Sequence, residues 1–370
     1  MHPGRSVVIL VDDTGALPLP WLAEPLARAL DTHRGHALLV HGSPGVGAMA
    51  YAFTLAQAWL CEGVGLGVGV GNTPARRPCG RCGSCRLVQS HLHPDLTVLM
   101  PETLRREHGW PLPDDKLDGD DSKRKPSRQI RIDEVRLLIE RLTRTSARGR
   151  GKVALLHPAD VLNTQSANAL LKTLEEPAPG TRLLLTTSDP AALLPTVRSR
   201  CQLLHLPEPA PEVALAWLQA QGVPAAADAQ VLLAACSGRP LDALLLMNAG
   251  VDARTWAALP AAVAAGHAAA LAGWPVPRAL DAMQKLCLDA LARATGGSAR
   301  YFPNAGVPGQ AAPAHLAAWS RELERVARFA EHPWSEALLL ESLVIAGAQA
   351  LAPSVRSGRA GARGLDTLVG

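Results

Sequence analysis

Five short apolar runs punctuate the first 206 residues: Ala37–His41, Leu96–Met100, Val153–His157, Arg182–Thr187 and Cys201–Leu206. Each is apolar at successive positions rather than alternate ones, so neither face of the strand it would form is suited to water. Strands of that kind occur in parallel sheets covered by helices on both sides, and parallel neighbours need crossover connections. The intervening stretches supply them. Asp133 is placed to cap a helix carrying Val135, Leu138, Ile139 and Leu142, and Ser166–Glu176 repeats the spacing with Ala167, Leu170, Leu171 and Leu174 before Pro177 stops it. The fold class expected is α/β, built on a parallel sheet.

The first run leads into Gly42-Ser-Pro-Gly45-Val-Gly47-Ala48-Met49, and helical spacing resumes through Phe53, Ala56 and Leu60. Strand, glycine loop, helix is the arrangement of a phosphate-binding loop, G-x-x-x-x-G-K-[ST]. There the backbone N–H groups cradle phosphates, the Lys reaches the β- and γ-phosphates, and the hydroxyl holds Mg²⁺. Ala48 and Met49 stand where the Lys and hydroxyl belong. The loop keeps the shape of a phosphate site without its charge, so no nucleotide is expected to be turned over there.

At 370 residues the chain exceeds an ordinary single domain, and two or three are expected. An apolar content of 48%, rich in Ala and Leu, suits a helix-rich soluble protein. No uninterrupted apolar run reaches the length of about 18 residues that spans a bilayer. Val7–Val11 is short and runs into Asp12 and Asp13, a poor signal peptide, so a cytoplasmic location is expected. A net charge of +4 is too mild to indicate nucleic acid by itself.

The seven cysteines suggest reduced thiols or metal rather than disulfides in such a chain. Cys79-Gly-Arg-Cys82-Gly-Ser-Cys85 sets three thiols at two-residue intervals, and Cys61 at the end of the preceding helix is the candidate fourth. Four thiolates form a closed tetrahedral site suited to structural zinc, with no open position for chemistry. An iron–sulfur cluster is the alternative, but its bacterial motif continues with C-x₃-C-P and this chain does not. Cys201, Cys236 and Cys287 lie in apolar contexts and read as packing residues.

Residues 109–129 are dense in Asp, Lys, Arg, Pro and Gly, first acidic and then basic, and read as a disordered surface insertion. Beyond Pro207-Glu-Pro-Ala-Pro211 the strand signals cease and helical patterns fill 212–250 and 277–351. The expected division is an α/β domain over 1–207 with the zinc module at 61–85, small and larger helical domains over 208–250 and 251–352, and a disordered tail over 353–370.

Taken in order, Cys61, Cys79, Cys82 and Cys85, His93-Pro-Asp95, Asn168-Ala-Leu-Leu-Lys-Thr-Leu-Glu-Glu-Pro177 and Ser199-Arg-Cys201 make the chain resemble the AAA+ subunits of the bacterial clamp loader. The resemblance covers roughly residues 20–250, and the run from Asn168 to Pro177 is its most specific part. It implies an AAA+ P-loop-type sheet domain, a small helical lid and an all-α collar. It also implies assembly into a hetero-pentamer with motor (tau/gamma) subunits and a delta subunit, serving a sliding clamp at primer–template DNA as part of the DNA polymerase III holoenzyme.

Departures from the family pattern are concentrated on ATP hydrolysis. The motor subunits carry a complete loop, an Asp-Glu pair where this chain has His157-Pro158, and a sensor Arg at a position that falls on Leu241, with Arg239 close by. Asp160 lies too far along to be assumed a replacement. Ser199-Arg200-Cys201 is intact, and in the family this Arg is presented across the subunit interface to a neighbour's ATP as an arginine finger. The resemblance therefore implies a non-hydrolysing stator, with Arg200 its contribution to catalysis elsewhere. Arg200 could instead pair with a local carboxylate, a role that Arg198 fits better. Lys172, Glu175 and Glu176 read equally as part of the interface-facing helix or as a solvated face. Two other readings remain: a motor subunit with degenerate motifs that hydrolyses ATP, and a zinc-module nucleic-acid binder acting alone.

Overall fold

The computed structural model describes residues 10–63, 67–68, 74–75, 78–111, 125–223, 225–303, 305–328 and 335–353. The centre of the expected insertion (112–124) and the expected tail beyond 353 lie outside them. Two compact units make up the chain: residues 1–226 with 238–250, and residues 227–237 with 251–370.

All five expected strands form in the first unit: β1 (Ala37–His41), β2 (Leu96–Leu99), β3 (Lys152–Leu156), β4 (Thr181–Thr187) and β5 (Gln202–His205). They make one parallel sheet in the order β2-β3-β4-β1-β5. Register follows the apolar runs, with Leu38 of β1 opposite Leu184 of β4 and Leu155 of β3 opposite the same residue from the other side. The expectation of burial on both faces holds for the inner strands and fails for β5, where Leu203 is 52% exposed. As an edge strand, β5 has a neighbour on one side only.

The first unit also holds helices α1 (Ala23–Thr32), α2 (Ala48–Leu60), α3 (Gly83–Gln89), α4 (Glu102–Glu107), α5 (Ile132–Thr143), α6 (Thr164–Glu175), α7 (Pro195–Arg198), α8 (Pro211–Ala220) and α10 (Pro240–Asn248). One sheet face, with Leu39, Leu156, Leu183 and Leu185, packs against Val135, Leu138 and Leu142 of α5, Leu170 and Leu174 of α6 and Val197 of α7. Each fully buried Leu of this set contributes about 2 kcal/mol. Helix α2 packs on β3 and β4 and is buried at every position from Ala50 to Gln57. Such all-round burial explains why its sequence is apolar on every side.

Two helix starts differ from the sequence expectation. Helix α5 begins before Asp133, and Glu134 Oε2 accepts from the Arg131 N–H (3.1 Å), so the acid that serves the helix start lies one residue later than expected. Helix α6 begins at Thr164 because Asn163 Oδ1 accepts from the Ser166 N–H at 2.8 Å.

The second unit consists of α9 (Ala226–Ala235), α11 (Ala253–Ala264), α12 (Val276–Ala294), α13 (Pro313–Arg328) and α14 (Glu336–Leu351), in which α12, α13 and α14 pack on one another and α11 packs on α14. Trp256, 1% exposed, stacks on Phe302 with ring centroids 5.0 Å apart. Asp289, 2% exposed, accepts the N–H groups of Arg300, Tyr301 and Phe302 at 2.8 Å each and so fixes the turn that delivers Phe302. Among the described residues no single helix is long and apolar enough to cross a membrane.

Candidate functional site

Four constellations carry chemistry, and all lie in the first unit. The glycine loop connects β1 to α2 as the sequence requires. Gly45 (φ 75°) and Gly47 (φ 105°) are left-handed, a conformation that costs glycine least. Both are also closely approached. A Cβ on Gly45 would lie 2.5 Å from the Asp242 carboxylate, and one on Gly47 would lie 2.5 Å from the Leu19 side chain.

Asp242 belongs to α10, which lies against the loop. The Leu241 N–H donates to Gly45 O (3.3 Å), and Arg239 Nε donates to Asp242 Oδ2 (2.6 Å). Trp21 Nε1 donates to Val46 O at 2.8 Å, and Ser43 Oγ donates to Glu208 Oε1 at 2.9 Å. Arg239, the cation nearest the expected sensor position, is thus engaged with a neighbour on its own helix. A carboxylate against Gly45 presents negative charge to the loop, where a phosphate would need positive charge. With Ala48 and Met49 opening α2, the helix start itself supplies neither cation nor hydroxyl.

At the end of β3, His157 Nδ1 lies 2.7 Å from Thr186 Oγ1 of β4. Burial pushes its pKa down to about 4, so the ring is neutral at pH 7. A folded-state value below the ordinary 6.5 means that the unfolded chain takes up a proton first as the pH falls. Stability from this group is complete above pH 6.5 and lost on acidification toward pH 4. The loss by pH 4.5 should be on the order of 2 kcal/mol. Urea midpoints measured at both ends of the window should fall less steeply for His157→Gln than for the parent; parallel slopes would remove His157 as the cause.

The four expected metal ligands converge. The sulfurs of Cys61, Cys79, Cys82 and Cys85 lie within 4.8 Å of one another, with Cys61–Cys82 at 3.8 Å and Cys79–Cys85 at 4.0 Å. A tetrahedral ion with bonds of about 2.3 Å to sulfur sets its ligands about 3.8 Å apart, close to the two sulfur–sulfur distances above. The N–H groups of Cys79, Cys82 and Cys85 each point at a cluster sulfur at 3.4 Å, favouring thiolate. Gly80 (φ 74°) passes so close to the Asp12 carbonyl that a Cβ would lie 1.6 Å from its oxygen, which explains the glycine inside the cysteine run.

Around this cage runs a polar network that ties it to the sheet. Glu62 pairs with Arg148 (2.6 Å) and accepts from Ser84 Oγ (3.1 Å), and His93 Nε2 lies 3.1 Å from the same hydroxyl. Asp95, 3% exposed, accepts from Ser146 Oγ and from the N–H groups of Ala147 and Arg148 at 2.8–3.0 Å. The His-Pro-Asp motif is therefore the junction between the cysteine module and the start of β2.

Arg200 follows α7. Its Nε donates to Glu175 Oε1 on α6 (2.7 Å), Nη2 donates to the same oxygen, and Nη1 donates to Thr196 O (2.9 Å). Its side chain is 34% exposed. Arg198 reaches only the Pro190 carbonyl (3.4 Å), so the local carboxylate pair expected of Arg198 is made by Arg200 instead. Helix geometry is the reason: Ser199 caps α7, and Cys201 packs against the core beside it, which turns Arg200 toward the end of α6.

The contact of Asp242 with the loop and the pairing of Glu175 with Arg200 were not anticipated from the sequence, which placed Glu175 only on an interface-facing helix or a solvated face. Asp242 had a faint signal as an acid three residues after Arg239 in a first helical turn. The pairing of Glu175 with Arg200 had none, because 25 residues separate them and only the packing of α7 on α6 joins them.

Comparison with known proteins adds to this geometry. The profile of the family described as DNA polymerase III, delta subunit, matches residues 22–210. The chain is 34% identical over 304 residues to DNA polymerase III subunit delta' of Escherichia coli, covering 78% of this chain and 80% of that one. With the delta' subunit of Pseudomonas aeruginosa it shares 36% identity over 218 residues, 58% of this chain and 57% of that protein, so the match spans less than two thirds of that relative. It is also similar to DNA polymerase III subunit tau of Escherichia coli, 33% over 171 residues, which cover 46% of this chain and 21% of tau.

Proposed function

The chain belongs to the delta-prime family of DNA polymerase III subunits, and from that premise we propose that it is the clamp-loader member that hydrolyses no ATP and completes a neighbour's ATP site. One contrast carries the reading. The chain's own loop lacks the Lys and hydroxyl and has Asp242 against it, while Arg200 stands part-exposed on the surface.

In this reading the β1–α2 loop is an AAA+ phosphate loop that has lost its ligand, and α8 to α10 are its lid. His157-Pro158 supplies neither the carboxylate that would hold Mg²⁺ nor a base for the attacking water. The neutral imidazole is occupied by Thr186 instead. Arg200 acts in trans: its guanidinium meets the γ-phosphate bound by the adjacent motor subunit and neutralises charge that develops as the phosphoryl group transfers. Helices α11 to α14 form the collar that joins motor (tau/gamma) and delta subunits in a hetero-pentamer. That cytoplasmic assembly loads the sliding clamp at primer–template DNA during replication.

The cysteine cage holds structural zinc. Its four ligands are all protein sulfurs, which leaves no coordination site for catalysis, and the metal's part is to brace a segment with little core of its own.

Calorimetric titration with Mg·ATP tests the central claim. The isolated chain should give no saturable heat up to millimolar nucleotide and no turnover, yet should co-elute with the motor and delta subunits as one complex. Micromolar binding or steady hydrolysis would favour an ATP-hydrolysing motor subunit, and failure to enter the complex would defeat both readings.

A further inference from the structure

An arginine that reaches across an interface has to hold one orientation before its partner arrives, because a freely rotating guanidinium loses entropy at the moment it is needed. The surroundings of Arg200 answer that requirement. Its Nε and one Nη2 hydrogen converge on Glu175 Oε1, and Nη1 is held by Thr196 O at 2.9 Å, with Ser199 Oγ 3.4 Å away.

Guanidinium carries five N–H groups in a planar fork. Two go to Glu175, and the two on Nη1 go to Thr196 O and, at 3.4 Å, to Ser199 Oγ, which leaves one N–H on Nη2. Because Nε–H and an Nη2–H point to the same oxygen, Glu175 occupies the side edge of the fork. The second Nη2–H therefore lies on the end edge, the edge that makes two parallel bonds to a phosphate.

We propose that Glu175 is a positioning residue for Arg200: by gripping the side edge it fixes the guanidinium plane and leaves the second Nη2–H, on the end edge, for an anion on a neighbouring chain. The proposal rests on the trans-arginine reading of Arg200. It also gives a physical purpose to the last turn of α6, whose acidic end could otherwise be a solvated face. A competing possibility is that Glu175 withholds the arginine, in which case removing the carboxylate would free it to act.

The test uses the reconstituted complex with its other ATP sites disabled, so that DNA-stimulated hydrolysis reports the site that Arg200 serves. Glu175→Ala should lower kcat at that site by about tenfold with little change in KM for ATP, since orientation rather than nucleotide binding is lost. Glu175→Gln should recover most of the rate, because the amide oxygen still accepts both N–H groups. In an Arg200→Ala background, Glu175→Ala should have no further effect, which a general loss of stability would not reproduce. Gel filtration and melting of each variant confirm assembly.

Hydrolysis by Glu175→Ala equal to or faster than the parent overturns the positioning role while leaving Arg200 as the finger, provided Arg200→Ala itself is slow. Unchanged hydrolysis by Arg200→Ala removes the finger, and the positioning role with it. The two failures are thus separable.

Discussion

Substituting Arg200 by alanine is expected to slow hydrolysis at the served site on the order of 10³-fold, with the complex still assembled. The magnitude follows from what a trans arginine does. Charge accumulates on the transferring phosphoryl oxygens in the transition state, and a cation placed there in advance needs no solvent reorganisation. Little should happen to the subunit itself, because Arg200 is part-exposed and its surface ion pair contributes at most about 1 kcal/mol to folding. Arg200→Lys should not restore the rate, since an ammonium cannot engage Glu175 and a phosphate through separate edges. Single-turnover hydrolysis in a complex with one competent site decides the matter; a rate within twofold of the parent would refute the assignment.

The second large effect concerns the cysteine cage. Removing zinc with a strong chelator, or replacing Cys85 with serine, should release residues 78–89 from their packing. Cys85 is fully buried, and the N–H···S bonds that hold the run in place depend on the four sulfurs staying together. Local unfolding would carry the Ser84–His93 and Glu62–Arg148 contacts with it, at a cost of about 3–5 kcal/mol. In a chain of this size that lowers the melting temperature by about 5 °C. Elemental analysis should find one zinc per chain and much less in Cys85→Ser. A metal-free preparation melting with the parent would show that the cage stabilises nothing.

Neither effect depends on the chain having an ATP site of its own, and the local reason is visible at α10. Asp242 lies against Gly45 and is held by Arg239, so α10 turns an acid toward the loop. Restoring Lys at position 48 and Thr at 49 alone would therefore leave a carboxylate beside the incoming phosphates.

Much of this was legible in the order of residues. Strands at Ala37, Leu96, Val153, Arg182 and Cys201 followed from apolar runs with no polar alternation, and the cysteine cage from spacing that brings three thiols round one turn. These features are local: backbone geometry and side-chain period act over a few residues and need no knowledge of the rest. The exposed face of β5 was not legible, since an edge strand and a central strand can carry similar sequences.

By itself, then, the sequence determined a parallel α/β unit, a helical remainder, a four-cysteine cage and a glycine loop without its cation. Tertiary structure alone decided that Arg200 rather than Arg198 meets Glu175, that Asp242 rather than a cation faces Gly45, and that His93 and Asp95 lock the cage to the sheet. Each of those contacts depends on the direction in which a side chain leaves one element and on the distance to another. Those quantities are set when helices pack on the sheet, and no pattern along the chain encodes them.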